Sequence, residues 1–251
     1  MFKQLVRRSL DAAGYYATHH SVLPFGVDPL RDIQRLAVRH DIPIRTVFDI
    51  GAHVGQTARG FLDAFPNAQV HSFEPHPNSF ACIGAIKSDR LRAHNVAMSD
   101  KCGKADFFVL SDVADPAEAV AASMNNSLVQ ERQFGLVEGN YTKSIKVDCV
   151  TVDAFCSAYG IDAIDLLKID VEGHDAAVLD GATDALTSGR VRFVFIEYET
   201  VLPIPGASGG ALAGVAERLE PLGFRLVASY QINMVDRPLY ACFNALFLSP
   251  G

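Results

Sequence analysis

The chain has 251 residues, of which 49% are hydrophobic, so it can bury the core of one large α/β domain. Its formal net charge of -7 argues against a nucleic-acid partner, because phosphate backbones favour basic surfaces. The five cysteines include no C-x-x-C pair, which predicts reduced thiols in a cytoplasmic protein rather than a disulfide framework.

The first part of the chain predicts an N-terminal helical extension, residues 1 to 43, ahead of a main domain, residues 44 to 251. "MFKQLVRRSLDAAGYY" places apolar residues at helical spacing, and its basic residues would allow weak peripheral contact with an anionic membrane surface. "DPLRDIQRLAVRH" is a clearer helix, with Pro29 close to its start. Because no apolar run reaches about 18 residues, no transmembrane segment is expected.

Beyond this extension, strand-like and helix-like patterns alternate. Regular strands are predicted at 44–50, 68–74, 91–99, 164–171 and 191–199. Helices are predicted at 56–65, 78–88, 176–186 and 210–222. This alternation predicts a mostly parallel sheet that is covered by helices on both faces.

Two parts of the chain depart from that regular alternation. Strand-like segments at 104–110 and 143–152 flank a polar stretch that contains "SMNNSLVQE". Near the end, predicted strands at 224–230 and 241–249 lie too close together for a helical crossover. These last two strands are therefore expected to form an antiparallel hairpin at one end of the sheet.

The first predicted strand runs into a loop with two glycines, "FDIGAHVG". Ligands of open parallel sheets bind beyond the carboxyl ends of the strands. Gly51 would let the backbone turn and approach a ligand, and Gly55 would let the next helix pack closely. Asp49 would fix the loop or meet a cationic ligand group, and His53 is a further candidate cofactor contact. A tight structural turn without a ligand is the competing interpretation.

The second predicted strand ends in "HSFEP", with Glu74 twenty-three residues after Gly51. An acid about 20 residues after the glycine loop, at the tip of the second strand, is placed to accept both hydroxyls of a ribose. The glycine loop lacks the G-x-G-x-x-G spacing of a dinucleotide site. A nucleoside ligand without a clear phosphate cradle favours S-adenosyl-L-methionine over NAD.

Five motifs occur in a fixed order along the chain: "FDIGAHVGQTA", "VHSFEPHP", "NVAMSD", "VDCVTVDAF" and "DLLKIDVEGHDAAVLDGA". Together they resemble the FkbM-type S-adenosylmethionine-dependent methyltransferases. The resemblance implies a Rossmann-like, seven-stranded methyltransferase sheet of order 3-2-1-4-5-7-6, with the last strand antiparallel. It also implies methyl transfer to a hydroxyl of a sugar, glycolipid or secondary metabolite, and it places the adenine near Ala97.

The fourth regular strand carries four polar residues at alternate positions, Lys168, Asp170, Glu172 and His174. In an extended chain these side chains share one side of the strand. Asp170 is the leading candidate to contact the methionine end of the cofactor or the acceptor hydroxyl. Glu172 and His174 are candidate general bases for that hydroxyl. Lys168 could serve only to neutralise Asp170.

A divalent metal is possible at the same edge of the sheet. Glu197 ends the neighbouring strand, so its carboxylate could converge with those of Asp170 and Glu172. Oxygen ligands of this kind suit Mg²⁺ or Ca²⁺. A metal-free site is favoured, however, because no histidine or asparagine obviously completes a coordination sphere.

Two other functions stay open beside the methyltransferase. The first is an NAD- or nucleotide-sugar-binding oxidoreductase, which the missing third glycine disfavours. The second is a non-catalytic Rossmann-like binding protein, which the acids at the strand ends disfavour. The acceptor of the methyltransferase would be a small molecule or a glycan that the sequence does not name, and the chain could form an oligomer.

Overall fold

A computed structural model describes residues 6, 9, 10, 12, 13, 23–109, 126–129, 143–201, 212–236 and 239–250. Its strands are β1 (Thr46–Ile50), β2 (Gln69–Phe73), β3 (Leu91–His94), β4 (Ala97–Met98), β5 (Gly103–Val109), β6 (Lys143–Val150), β7 (Ile164–Ile169), β8 (Val191–Val201), β9 (Arg225–Asp236) and β10 (Leu239–Leu248). Its helices are α1 (Pro29–Arg39), α2 (Gln56–Ala64), α3 (Pro77–Gly84), α4 (Val152–Tyr159), α5 (Asp175–Asp180), α6 (Thr183–Thr187) and α7 (Leu212–Leu219). Most of the predicted first amphipathic helix lies outside the described residues.

Seven of the strands form one sheet, in the order β3-β2-β1-β7-β8-β10-β9. Numbered within this sheet alone, the order is 3-2-1-4-5-7-6, as predicted. β10 runs antiparallel to both of its neighbours, whereas the pairs from β3 to β8 are parallel. The predicted fold class, a Rossmann-like methyltransferase sheet with a late antiparallel hairpin, is confirmed.

The prediction of one strand over residues 91–99 was wrong. The segment divides into β3, at the edge of the large sheet, and β4, in a separate three-stranded sheet of order β4-β6-β5. Between them, the side-chain amide of Asn95 donates hydrogen bonds to the carbonyl oxygens of Glu74 and Pro75. Asn95 thereby ties the break to the carboxyl end of β2, where the chain leaves the large sheet.

Apolar layers cover both faces of the large sheet. Neighbouring residues along a strand point to opposite faces, so each buried strand contributes side chains to both layers. On one face, Phe48 packs with apolar side chains of α4, α5, α6 and α7. On the other face, Val47 packs with apolar side chains of α1, α2 and α3. The carboxyl ends of the parallel strands are thus held rigidly between two apolar layers.

Helix α1, from the predicted N-terminal extension, packs into this second layer through Ile33 and Leu36. Asp32 is 2% exposed on the same helix. Its carboxylate accepts hydrogen bonds from the hydroxyl of Tyr230 on β9 and from the backbone N–H of Gly26, both at 2.8 Å. The helix is therefore joined to the sheet by apolar and polar contacts, and a domain division at residue 43 stays a prediction.

We expect Tyr230→Phe to lower the free energy of unfolding by about 1.5 to 3 kcal/mol, the scale of a hydrogen bond to a charged group. The substitution removes one donor from the buried Asp32 carboxylate and leaves the ring in place. Denaturant unfolding of the full chain measures the effect. Tyr159→Phe is the matched control, because Tyr159 is 64% exposed. Equal unfolding midpoints for both variants would contradict the role of this contact.

Candidate functional site

A cavity of about 220 Å³ lies beyond the carboxyl ends of β1, β2 and β7. Six of the residues predicted for the site line it: Gly51, His53, Glu74, Ala97, Asp170 and Glu172. Four others are absent from its lining: Asp49, Gly55, His174 and Glu197. The cavity therefore collects the end of the glycine loop, the tip of β2 and the acidic end of β7.

The two glycines of the loop are required for different structural reasons. Gly51 has a φ of +74°, and a Cβ there would overlap the carbonyl oxygen of Asp170. Glycine is thus required at position 51 because the ends of β1 and β7 approach closely there. Gly51 also lines the cavity. Gly55 caps α2 with a φ of +85°, and its Cβ would lie 2.6 Å from Ile86 Cδ1. It lets α2 start close to α3, as the sequence predicted.

Glu74 is a buried carboxylate with acceptor capacity to spare. It is 6% exposed, and its two oxygens accept the backbone N–H groups of His53 at 2.9 Å and His76 at 2.8 Å. Burial raises the pKa of Glu74 to about 7, although those two N–H groups oppose the shift. A carboxylate has about four lone-pair positions, so each oxygen can accept one more hydrogen bond. That arrangement fits the two hydroxyls of a ribose.

Lys168 lies at the centre of the site and is 2% exposed. Its ammonium donates to the carbonyl oxygens of Gly51 at 2.8 Å and Ile50 at 3.2 Å. It also lies 3.3 Å from a carboxylate oxygen of Asp49 and 3.6 Å from one of Asp170. Burial lowers the pKa of Lys168, but the charges of Asp170 and Asp49 outweigh it and raise the pKa to about 12. Lys168 is a fixed cation that joins β1 to β7.

Asp49 is fully buried under this cation. Its carboxylate accepts hydrogen bonds from the hydroxyl of Thr57, at 2.8 and 2.9 Å, and from the hydroxyl of Ser72, at 3.4 Å. These contacts fix the start of α2 against β1 and β2. Of the two roles predicted for Asp49, the structure supplies partners for fixing the loop; direct contact with a ligand stays a prediction.

Asp170 and Glu172, beyond the end of β7, converge with Glu197 of β8, with carboxylate oxygens within 4.8 Å of one another. The prediction that Glu197 ends its strand was wrong, because β8 continues to Val201. Glu197 is 8% exposed, and burial, followed by the charges of Asp170 and Glu172, raises its pKa well above the usual value. Such a cluster can share a proton or accept several hydrogen bonds from a polyhydroxylated ligand. The metal-free site stays a prediction, as does the catalytic role of these acids.

His174 turns away from the acid cluster. Its Nε2 lies 2.9 Å from the hydroxyl of Ser99, which follows β4. Burial lowers the pKa of His174, so the neutral ring is favoured. The prediction that Lys168, Asp170, Glu172 and His174 share one side of an extended strand was wrong, because β7 ends at Ile169 and the chain turns through positive φ at Glu172 and Gly173. The role of His174 as a base stays a prediction.

Several cavity residues were missed by sequence reasoning. The three-stranded sheet and the neighbouring segment Asn126–Val129 supply Phe107, Asn126 and Leu128 to the lining, and α2 supplies Gln56. Asn126 and Leu128 belong to the polar stretch "SMNNSLVQE", which fitted no regular pattern. An irregular polar stretch between two strand-like segments was the available signal, but it did not say which side chains would reach the cavity.

Comparison with known proteins decides the family. The model of the Methyltransferase FkbM domain matches residues 49–226, which include the glycine loop, Glu74 and the acid cluster. The chain belongs to the FkbM methyltransferase family. Membership makes S-adenosyl-L-methionine the cofactor expected in the cavity, in agreement with the acceptor capacity of Glu74.

Curated relatives agree with this assignment. The chain is 33% identical over 163 residues to 2-O-methyltransferase NoeI of Sinorhizobium fredii, covering 62% of this chain and 64% of NoeI. It is 30% identical over 220 residues to 31-O-demethyl-FK506 methyltransferase FkbM of Streptomyces tacrolimicus, and the match covers 77% of this chain and 79% of that protein. It is 24% identical over 167 residues to hexuronic acid methyltransferase AglP of Haloferax volcanii, and the match covers 66% of this chain and 61% of AglP. The chain thus spans less than two thirds of NoeI and of AglP.

None of the helices in the described ranges has the length and apolar character needed to cross a bilayer.

Proposed function

We propose that this FkbM-family protein is an S-adenosyl-L-methionine-dependent O-methyltransferase. The observation that carries the proposal is the buried Glu74 carboxylate, which lines the same cavity as Asp170 and Glu172 and keeps one acceptor position on each oxygen. A ribose held by Glu74 would direct the other end of the cofactor toward those acids. The names of two relatives specify transfer to oxygen, and the name of the third specifies a hexuronic acid.

We assign a separate role in the reaction to each of several residues around the cavity. When bound, S-adenosyl-L-methionine supplies an electrophilic methyl group on a sulfonium. Glu74 would hold the ribose, and Lys168, whose ammonium lies 3.6 Å from an oxygen of Asp170, would hold that carboxylate in position. Asp170 and Glu172 would orient the acceptor hydroxyl, and one of them would take its proton as the oxygen–methyl bond forms. Glu197, within 4.8 Å of both, could share that proton.

The acceptor that we propose is a hydroxyl of a sugar, glycolipid or secondary metabolite. The net charge of -7 supports a small molecule or glycan over a nucleic acid, and five cysteines without a C-x-x-C pair support a cytoplasmic location. A methyl-transfer screen tests the function directly. Cofactor labelled in its methyl group is incubated with glycosides, lipopolysaccharide fragments and polyketide alcohols, and products are identified by mass spectrometry. Label on a hydroxyl supports the proposal; no transfer to any class would count against it.

We expect Glu74→Ala to weaken the binding of S-adenosyl-L-methionine by about 1.5 to 3 kcal/mol, the scale of hydrogen bonds to a charged group. The truncation removes both acceptor oxygens from the ribose hydroxyls. Calorimetric titration of the folded variant measures the loss. Glu220→Ala is a suitable control, because Glu220 is exposed and distant in sequence from the motifs. Unchanged affinity in Glu74→Ala would refute the ribose assignment.

The affinity for S-adenosylhomocysteine should also rise with pH through about 7, the pKa of Glu74. Below that pH the free protein holds a proton on Glu74, and the charge-assisted hydrogen bonds to ribose need the carboxylate. The complex therefore binds fewer protons than the free protein, so raising the pH favours binding. Titrations from pH 6 to pH 8 follow the effect. Glu74→Gln should flatten the curve; a curve of the same slope would assign the pH dependence to another group.

A further inference from the structure

The acidic turn after β7, Val171–Gly173, has a conformation that needs support. Glu172 has a φ of +57° although it carries a Cβ, and Gly173 follows with a φ of +90°. A residue with a Cβ rarely adopts the left-handed region unless its surroundings hold it there. The side chain concerned is one of the three carboxylates that line the cavity, so the contacts that hold the turn also set the direction of the Glu172 side chain.

One support comes from the helix that follows the turn. The carboxylate of Asp175, 3% exposed, accepts the backbone N–H groups of Val171 at 3.2 Å and Gly173 at 3.1 Å. This fixes the donors on either side of Glu172. It leaves the carbonyl group of Glu172, which sets the orientation of the next peptide plane, to be held by another residue.

That residue is Ser127, from the chain between β5 and β6. Ser127 is fully buried, and its hydroxyl donates a 2.7 Å hydrogen bond to the carbonyl oxygen of Glu172. The same hydroxyl accepts the backbone N–H of Val129 at 3.0 Å, which fixes the direction in which it can donate. Forty-five residues of sequence separate the two partners, so the contact is specific to the folded chain.

Ser127 is itself held in place. Its backbone exchanges two hydrogen bonds with Phe108 on β5, at 2.8 and 3.1 Å, and so adds a bridge at the edge of the small sheet. Its neighbours Asn126 and Leu128 line the cavity together with Glu172. The hydroxyl thus joins a cavity wall, built by the small sheet, to the acidic turn at the end of the large sheet.

We propose that Ser127 is a positioning residue that holds the left-handed turn at Glu172 and thereby aims the Glu172 carboxylate at the reacting hydroxyl. Ser127 acts through the backbone of Glu172, without touching the substrate. Its effect on turnover rests on the proposed methyltransferase function, whereas its effect on the turn does not. Two measurements therefore separate the two claims.

The first measurement is amide hydrogen exchange of the full-length, cofactor-free protein. In Ser127→Ala the amides of Val171 and Gly173 should exchange about fivefold to tenfold faster, the scale of one lost hydrogen bond. Ser144→Ala is the matched control, because Ser144 is exposed and pairs with the same Phe108 from β6. Its exchange at the turn should equal that of the unmodified chain. Unchanged exchange in Ser127→Ala would overturn the proposal.

The second measurement is kinetic and uses the acceptor found in the methyl-transfer screen. Ser127→Ala should lower kcat by about tenfold, because the Glu172 carboxylate is no longer oriented toward the reacting hydroxyl. Its Kd for S-adenosylhomocysteine should change by less than about threefold, because Glu74 holds the ribose independently. Ser127→Thr, which keeps the hydroxyl, should recover part of kcat. An unchanged kcat, or equal losses in kcat and in affinity, would overturn the positioning role.

The kinetic result depends on the proposed function, whereas the hydrogen-exchange result does not. If the unmodified chain bound no S-adenosylhomocysteine and transferred no methyl group, the proposed function would fail, and the exchange result would still decide whether Ser127 holds the turn. If the unmodified chain were active and only the Ser127→Ala results disagreed, the positioning role alone would fail.

Discussion

Asp170→Asn is expected to lower turnover by a factor on the order of 10² or more on any accepted acceptor, the usual scale for a lost base or its orienting partner. The substitution keeps the shape of the side chain and removes its charge. Asp170 lines the cavity, lies 3.6 Å from the Lys168 ammonium and belongs to the acid cluster with Glu172 and Glu197. Removing this charge affects the orientation and the basicity of the whole cluster. Initial rates at saturating cofactor measure the change.

A matched control is Asp148→Asn. Asp148 is an exposed residue of β6 that pairs with Lys104, so the same chemical change there should leave the rate within about twofold, as expected for a surface site. Circular dichroism of both variants confirms that the sheet is intact. If Asp170→Asn turned over within a few-fold of the unmodified chain, the active centre would lie elsewhere.

Asp170 is required by both of the mechanisms that the acid cluster allows. In the metal-free mechanism a chelator has no effect, and the rate falls at low pH as the base is protonated. In the metal mechanism Asp170, Glu172 and Glu197 hold a divalent ion that polarises the acceptor hydroxyl, so a chelator stops turnover and Mg²⁺ or Mn²⁺ restores it. We favour the metal-free mechanism. Chelator-sensitive turnover that Mg²⁺ restores would decide for the metal.

Lys168→Met is expected to lower the free energy of unfolding by about 3 to 5 kcal/mol, the scale of breaking a buried ion pair by removing one partner. Methionine keeps most of the length of the side chain but supplies no charge or donor. Asp49, which is 0% exposed, would keep only the hydroxyls of Thr57 and Ser72, and the carbonyl oxygens of Ile50 and Gly51 would lose their donor. Chemical denaturation of the full chain measures the loss.

The control for this substitution is Lys104→Met, since Lys104 forms an exposed ion pair with Asp148 in which both side chains are 66% exposed. Such a pair contributes about 0 to 1 kcal/mol. The double variant Lys168→Met, Asp49→Asn should recover part of the loss, because the buried charge is removed along with its partner. A cost for Lys168→Met no larger than that for Lys104→Met would show that the central cation is dispensable for stability.

The sequence predicted those parts of the site that follow from the parallel sheet alone. Gly51, Glu74 and Asp170 lie at or just beyond the ends of three regular strands, and the ends of parallel strands meet at one edge of a sheet. Apolar strands, helical spacing and the fixed order of motifs were therefore enough to place these residues around one cavity. Glu197 could be expected near Asp170 because their strands are neighbours in the implied order.

Other features depended on pairings that local spacing does not encode. The contact of Lys168 with Asp49 follows from the register in which these two residues are partners on β7 and β1. The small sheet depends on pairing Ala97 with Cys149, far apart in the sequence. The hydrogen bond from Ser127 to Glu172 likewise requires the folded chain. Sequence patterns predicted β1, β5, β6 and β7, but β4 and the pairing partners were found only in the three-dimensional structure.

The most direct test of the account is a crystal structure of the full chain with S-adenosylhomocysteine. The account predicts that both ribose hydroxyls lie within hydrogen-bond distance of the Glu74 carboxylate, and that the sulfur lies on the side of the cavity formed by Asp170 and Glu172. It also predicts that the adenine lies near Ala97. A ligand bound outside this cavity, or one whose ribose does not contact Glu74, would contradict the central claim.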